Sequence, residues 1–132
     1  MRWFPLLLAF FLASEAHSAS LRDSRLEETL NQVATESSEG TPRAINDNIT
    51  DMGFEAQGDE LINRLSVDAA YAERMQEDPL LIRTQLQASV CTDLRFRRLL
   101  DMGATLTYHF IIKGSDQPVL TQSFIAEHCQ TM

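Results

Sequence analysis

Two cysteines bracket the most regularly patterned stretch of this chain, and they restrict its fold more than any other feature. Cys91 and Cys129 are its only cysteines. Between them lie a capped helical turn (Asp93 to Asp101), a helix stop at Gly103 and two runs of strand character, joined by the turn Gly114-Ser115-Asp116-Gln117. In a short exported chain such a pair is a structural disulfide, whereas a catalytic dithiol more often reads C-x-x-C. The bond would tie a helix end to the last strand. Closing a loop of this size stabilises a fold by about 2–4 kcal/mol.

The amino terminus supplies the oxidising compartment that this bond needs. Arg2 gives a minimal basic region, Trp3 to Ala13 are apolar throughout, and the small residues Ala16, Ser18, Ala19 and Ser20 follow. The apolar run is about half of the roughly 20 residues that span a bilayer. Residues 1–18 therefore read as a cleaved signal peptide, with the cut after Ser18. No cysteine stands near the cut, so neither a lipid anchor nor a stable membrane anchor is expected in the mature chain, which is expected to be secreted or periplasmic. Residues 19–132 form the expected single domain, large enough for one core. The net charge is −8. A balance this acidic repels phosphate backbones and argues against a nucleic-acid partner.

Ser20 to Ser38 reads as a helix with Ser20 as N-cap and a thin stripe of Leu26, Leu30 and Val33. So narrow a stripe implies that residues 19–39 pack lightly or sit partly detached. Residues 44–67 read as two antiparallel strands about the turn Gln57-Gly58-Asp59. Asp68 is the expected cap of a helix from Ala69 to about Gln76, and Asp78-Pro79 opens another that ends at Cys91. Asp93 caps a third, with Phe96, Leu99 and Leu100 inward and Arg97 four residues from both Asp93 and Asp101. Leu106, Tyr108, Phe110 and Ile112 alternate with Thr105, Thr107, His109 and Ile111 as the clearest strand, paired with Val119 to about Ala126. The fold class is α+β: an antiparallel sheet of about four strands in two hairpins, helices on one face, one disulfide.

The chemistry-bearing residues are sparse. His109 and His128 are the histidines of the mature chain. Glu127, His128 and Cys129 are consecutive, and neighbours on a strand point to opposite faces, so no metal site is expected. No G-x-S-x-G or glycine-rich cradle is present, so neither catalytic residues nor a cofactor are assigned. Tyr108, Phe110 and Phe124 read as core. Arg95, Arg97 and Arg98 form the one basic cluster, a candidate partner-binding patch whose plainer reading is a solvated helix face. The hairpins also offer strand edges for a partner to extend.

Four segments carry a likeness: GTPRAIN (Gly40 to Asn46), GDELINRLSV (Gly58 to Val67), TQLQASVC (Thr84 to Cys91) and LLDMGATLTYHF (Leu99 to Phe110). Through them the chain resembles a family of small secreted pseudomonad proteins described as quorum-sensing-regulated virulence factors. The likeness runs over nearly the whole mature chain. It implies a compact domain of helices and strands, export, and a role at the cell exterior or host surface, with no catalytic residues to carry over. The functional expectation is an exported, non-catalytic interaction module that meets a protein or host-surface partner; the alternative is a small secreted hydrolase or an inhibitor of one. Protein recovered outside the cytoplasm should begin between His17 and Ser20 by intact-mass measurement. Retention of Met1 to Ala13 on membrane-bound protein would refute the signal-peptide reading.

Overall fold

The computed structural model describes residues 4–130, with side chains from residue 21 onward. Helix α1 runs Phe4–Ser37, followed by strands β1 (Arg43–Ala44), β2 (Ile49–Gln57) and β3 (Glu60–Val67). Three helices come next, α2 (Ala69–Glu77), α3 (Pro79–Thr92) and α4 (Leu94–Asp101). Strands β4 (Thr105–Ile112) and β5 (Pro118–Phe124) and a 3₁₀ turn (Ala126–Cys129) close the chain. The sheet is five-stranded in the order β1-β2-β3-β4-β5.

Two expectations need correction. The sheet is mixed rather than antiparallel: β3 and β4 run parallel, in register from Glu60↔Thr105 to Val67↔Ile112, while the other pairs are antiparallel. Parallel neighbours require a long crossover, and α2, α3 and α4 together provide it. Side-chain alternation is the same in either direction, so the residues carry no sign of it. The second correction concerns Ser20, which does not start a helix, because α1 continues through it from Phe4.

The three aspartates do start helices. The Asp68 carboxylate accepts the Tyr71 N–H at 2.8 Å, Asp78 that of Leu81 at 3.1 Å, and Asp93 those of Arg95 and Phe96 at 2.9 and 3.2 Å. Each satisfies donors that a first helical turn leaves open. Such closely spaced starts let three short helices fold back over one face of the sheet.

That face holds the core. One cluster joins Leu26, Leu30 and Ala34 of α1 to Leu61, Leu106 and Phe124 of the sheet, Val90, Leu99 and Leu100 of the helices, and both cysteines. A smaller one gathers Leu65, Val67 and Phe110 under Ala72 and Met75 of α2. Tyr108 and Leu86 pack against both. Narrow as it is, the α1 stripe is seated deeply, with Leu30 fully buried. Cys91 and Cys129 are bonded, with Cα atoms 5.3 Å apart and a separation of 38 positions in sequence.

A polar residue interrupts the inward row of β3 for a local reason. β2 carries a bulge between Asp51 and Gly53, and Asn63 lies opposite the kink. The Asn63 amide donates to Asp51 Oδ1 at 2.9 Å and to the Gly53 carbonyl at 3.1 Å, while Asp51 also accepts the Gly53 N–H at 2.9 Å. Gly53 has φ +110°, and a Cβ there would press on Thr41 Oγ1 at 3.2 Å and Ser38 Oγ at 3.3 Å. Only glycine fits both demands.

The seating of α1 is open to a direct test. Leu30→Ala should destabilise the fold by about 2–5 kcal/mol in urea unfolding, the range for a buried leucine. A loss below about 0.5 kcal/mol would mean that α1 is not part of the core.

Candidate functional site

The basic cluster singled out in the sequence does not converge. Arg97 turns back to donate to the Cys91 carbonyl at 3.1 Å, closing the end of α3, and does not pair with Asp93 or Asp101. Arg95 is exposed with its guanidinium 5.0 Å from the Phe96 ring centre, and Arg98 is exposed on α4. The helical pitch explains the split: residues 95 and 98 share a side, and 97 lies nearly opposite.

The histidines are engaged in the framework. His109 Nδ1 is 2.9 Å from Thr121 Oγ1 on the helix-free face of the sheet. His128 Nδ1 accepts the Ile125 N–H at 2.9 Å, and its ring meets Phe124 edge-on. Phe110 and Phe124 are buried core residues, as their alternation implies. Among the described residues no group of three or more His, Cys, Asp or Glu could hold a metal ion. No described helix is long and apolar enough to cross a membrane.

The helix-free face is polar and internally paired. Arg64 meets Glu55 at 3.2 Å, and Thr107 donates to Glu60 while lying 2.9 Å from Ser123 Oγ. Glu55 titrates below its usual range, chiefly because Gln57 donates to it at 3.0 Å; desolvation opposes this, and the attraction and hydrogen bond of Arg64 add to it. The Arg64–Glu55 pair is exposed and contributes little stability.

The two sheet edges differ. On β5, Gln76 donates to the Val119 carbonyl at 3.1 Å and Arg83 to that of Ser123 at 3.3 Å, so helix side chains occupy two of its main-chain acceptors. On β2, β1 pairs only with Thr50 and Asp51. Ser38 then takes over as a single-residue plug: its Oγ accepts the Phe54 N–H at 2.8 Å and donates to the Phe54 carbonyl at 3.2 Å. By the alternation of a strand, the N–H and C=O of Ala56 point the same way, toward a cleft. That cleft, about 540 Å³, lies between α1 and β2 and is lined by Asn31, Ala34, Thr35, Ser38, Phe54 and Ala56 among others. The sequence did not single out these residues, because the feature is the outward N–H and C=O of Ala56 rather than a pattern of side chains.

This geometry can be compared with known proteins. The pattern of the family described as "Putative quorum-sensing-regulated virulence factor" matches residues 19–130. The chain belongs to that family. A crystal structure described as a "putative secreted protein" from Pseudomonas aeruginosa is 49% identical, covers 83% of this chain and 97% of its own, and superposes with a TM-score of 0.81. Two more distant structures share the fold of this family member. A pilotin of the Vibrio vulnificus type 2 secretion system has 18% identity and a TM-score of 0.71, covering 84% of this chain and 97% of its own. The type II secretion system pilotin of Vibrio cholerae has 15% and 0.63, with 85% and 99% covered. No curated protein matches the chain.

One titratable group reports on the core beneath the site. Burial pushes the Tyr108 phenol up to about 12, and the Asp93 carboxylate adds to the shift. The folded state therefore holds this proton more tightly than the unfolded chain does. The associated stability is complete below pH ~10 and is lost as pH rises toward ~12. Urea midpoints should fall across that window, and Tyr108→Phe should flatten the fall. An unchanged slope in the variant would show that another group is responsible.

Proposed function

We propose that this protein is an exported, non-catalytic interaction module that takes an extended segment of a protein partner along the free edge of β2. The observation that carries this reading is the cleft between α1 and β2. It offers main-chain groups at Ala56, an apolar floor of Phe54 and Ala56, and a polar wall that includes Asn31 and Thr35. Strand addition draws affinity from main-chain hydrogen bonds and selectivity from alternate side chains. An uncovered edge is a hazard that folds normally block, as Gln76 and Arg83 do on β5.

The secreted relative supports action outside the cytoplasm. The family description supports a role in virulence under quorum-sensing control. The sharing of this fold with two type II secretion pilotins supports work done by binding rather than by turnover. Hydrolysis needs a nucleophile, a base beside it and donors for developing charge. Among the described residues the histidines are tied to Thr121 and Ile125 and the cysteines to each other. Arg95 and Arg98, exposed on α4, are proposed as an accessory contact for acidic partner residues.

Ala56→Pro tests the reading, because it removes an N–H that points away from β3 and leaves the ladder intact. A photo-crosslinker at Thr35 should capture one defined protein partner from the native host. Ala56→Pro should cut that capture at least tenfold with little change in melting temperature. Equal capture by a folded Ala56→Pro protein would overturn strand addition.

A further inference from the structure

At the opposite edge of the sheet, α3, β5 and the closing 3₁₀ turn bring two hydrogen-bond donors face to face. Arg83 Nη1 donates to Gln122 Oε1 at 2.7 Å and to the Ser123 carbonyl at 3.3 Å, and its guanidinium carbon lies 4.7 Å from the centre of the Phe124 ring. The head group is thereby fixed with Nη2 left over. His128 packs edge-on to the same ring, with centroids 6.0 Å apart. Its Nδ1 accepts the Ile125 N–H, so that nitrogen carries no proton. The proton of the neutral imidazole is therefore on Nε2.

His128 Nε2 lies 3.5 Å from Arg83 Nη2. A hydrogen bond between them would require the ring to accept at both nitrogens, which only an imidazolate does. Two N–H groups thus meet with no acceptor between them. The ion pairs among the described residues are Arg43–Asp51 and Arg64–Glu55, so no described carboxylate neutralises Arg83.

We infer that Arg83 and His128 form a seat for a carboxylate. One oxygen of such a group can lie about 2.8 Å from both nitrogens at once, a normal charge-assisted distance. A fixed single positive charge beside a neutral ring matches a monoanion. A dianionic phosphate would leave excess negative charge on a protein already at −8. The turn that carries His128 is held to α3 by the Cys91–Cys129 bond and by Gln87, whose amide donates to the His128 carbonyl at 2.6 Å. The spacing of the two donors is therefore built into the framework. The seat lies at the β5 edge and does not depend on the β2 reading.

The test follows the side-chain nitrogen resonances of Arg83 and His128 in the mature protein during titration with sodium acetate, with sodium phosphate, and with a blocked Ala-Glu-Ala peptide. Saturable shifts with acetate or the peptide, tighter than with phosphate, are expected. The tighter of those two names the source as a free acid or a polypeptide side chain. In Arg83→Gln, followed at His128, affinity should fall at least tenfold. His128→Asn keeps an acceptor for the Ile125 N–H, but its shorter amide places no donor at the position of Nε2; followed at Arg83, it should show a similar loss while retaining the native amide spectrum. Shifts that do not saturate, tighter binding of phosphate, or native-like acetate affinity in a folded His128→Asn protein would overturn the inference.

Discussion

The bond between Cys91 and Cys129 is the constraint on which the rest of this structure depends. It joins the end of α3 to the turn that closes the chain, and both residues are buried in the larger core cluster beside Leu30, Leu61 and Phe124. The crossover helices and the last strand are therefore fastened together beneath the sheet rather than at its rim. Arg97 and Gln87 reinforce the same joint from either side, bonding the carbonyls of Cys91 and His128. In a domain of this size one such tether amounts to a large fraction of the net stability, about 2–4 kcal/mol against a total of about 5–15.

Much of the local structure is legible in the residues, because local chemistry decides it. Asp68, Asp78 and Asp93 each cap a helix as read, since a short acceptor before a helical run has few other uses. The turn at Gly58 and the alternation of Leu106, Tyr108 and Phe110 place two hairpins. The pairing of those hairpins is not legible, because parallel and antiparallel strands bury the same alternating positions. The bulge at Asp51 and Gly53 also escapes a sequence reading, since its meaning lies in Asn63 on the neighbouring strand.

The candidate sites were less legible than the fold. Arg95, Arg97 and Arg98 are adjacent in sequence, yet helical geometry sends them to different partners. Conversely, Arg83, Gln122 and His128 are scattered along the chain and meet only because α3, β5 and the closing turn converge on Phe124. The β2 cleft is defined by main-chain groups, which every residue possesses and no pattern of side chains announces.

The parallel join of β3 to β4 has a consequence for how the chain matures. A polypeptide emerges amino terminus first, so β3 is complete while α2, α3, α4 and β4 have yet to appear. Until then Leu61 has α1 to cover it, while Leu65 and Val67 lack the α2 residues and Phe110 that bury them in the finished domain. The edge that β4 will cover stays open. Non-local pairings of this kind form late. Cys129 lies in the turn after β5, so the tether cannot close until the last strand of the sheet is out. The domain is thus latched only after β5 has formed, and a chain that stops before it would expose a hydrophobic strand edge rather than a loosened version of the finished domain.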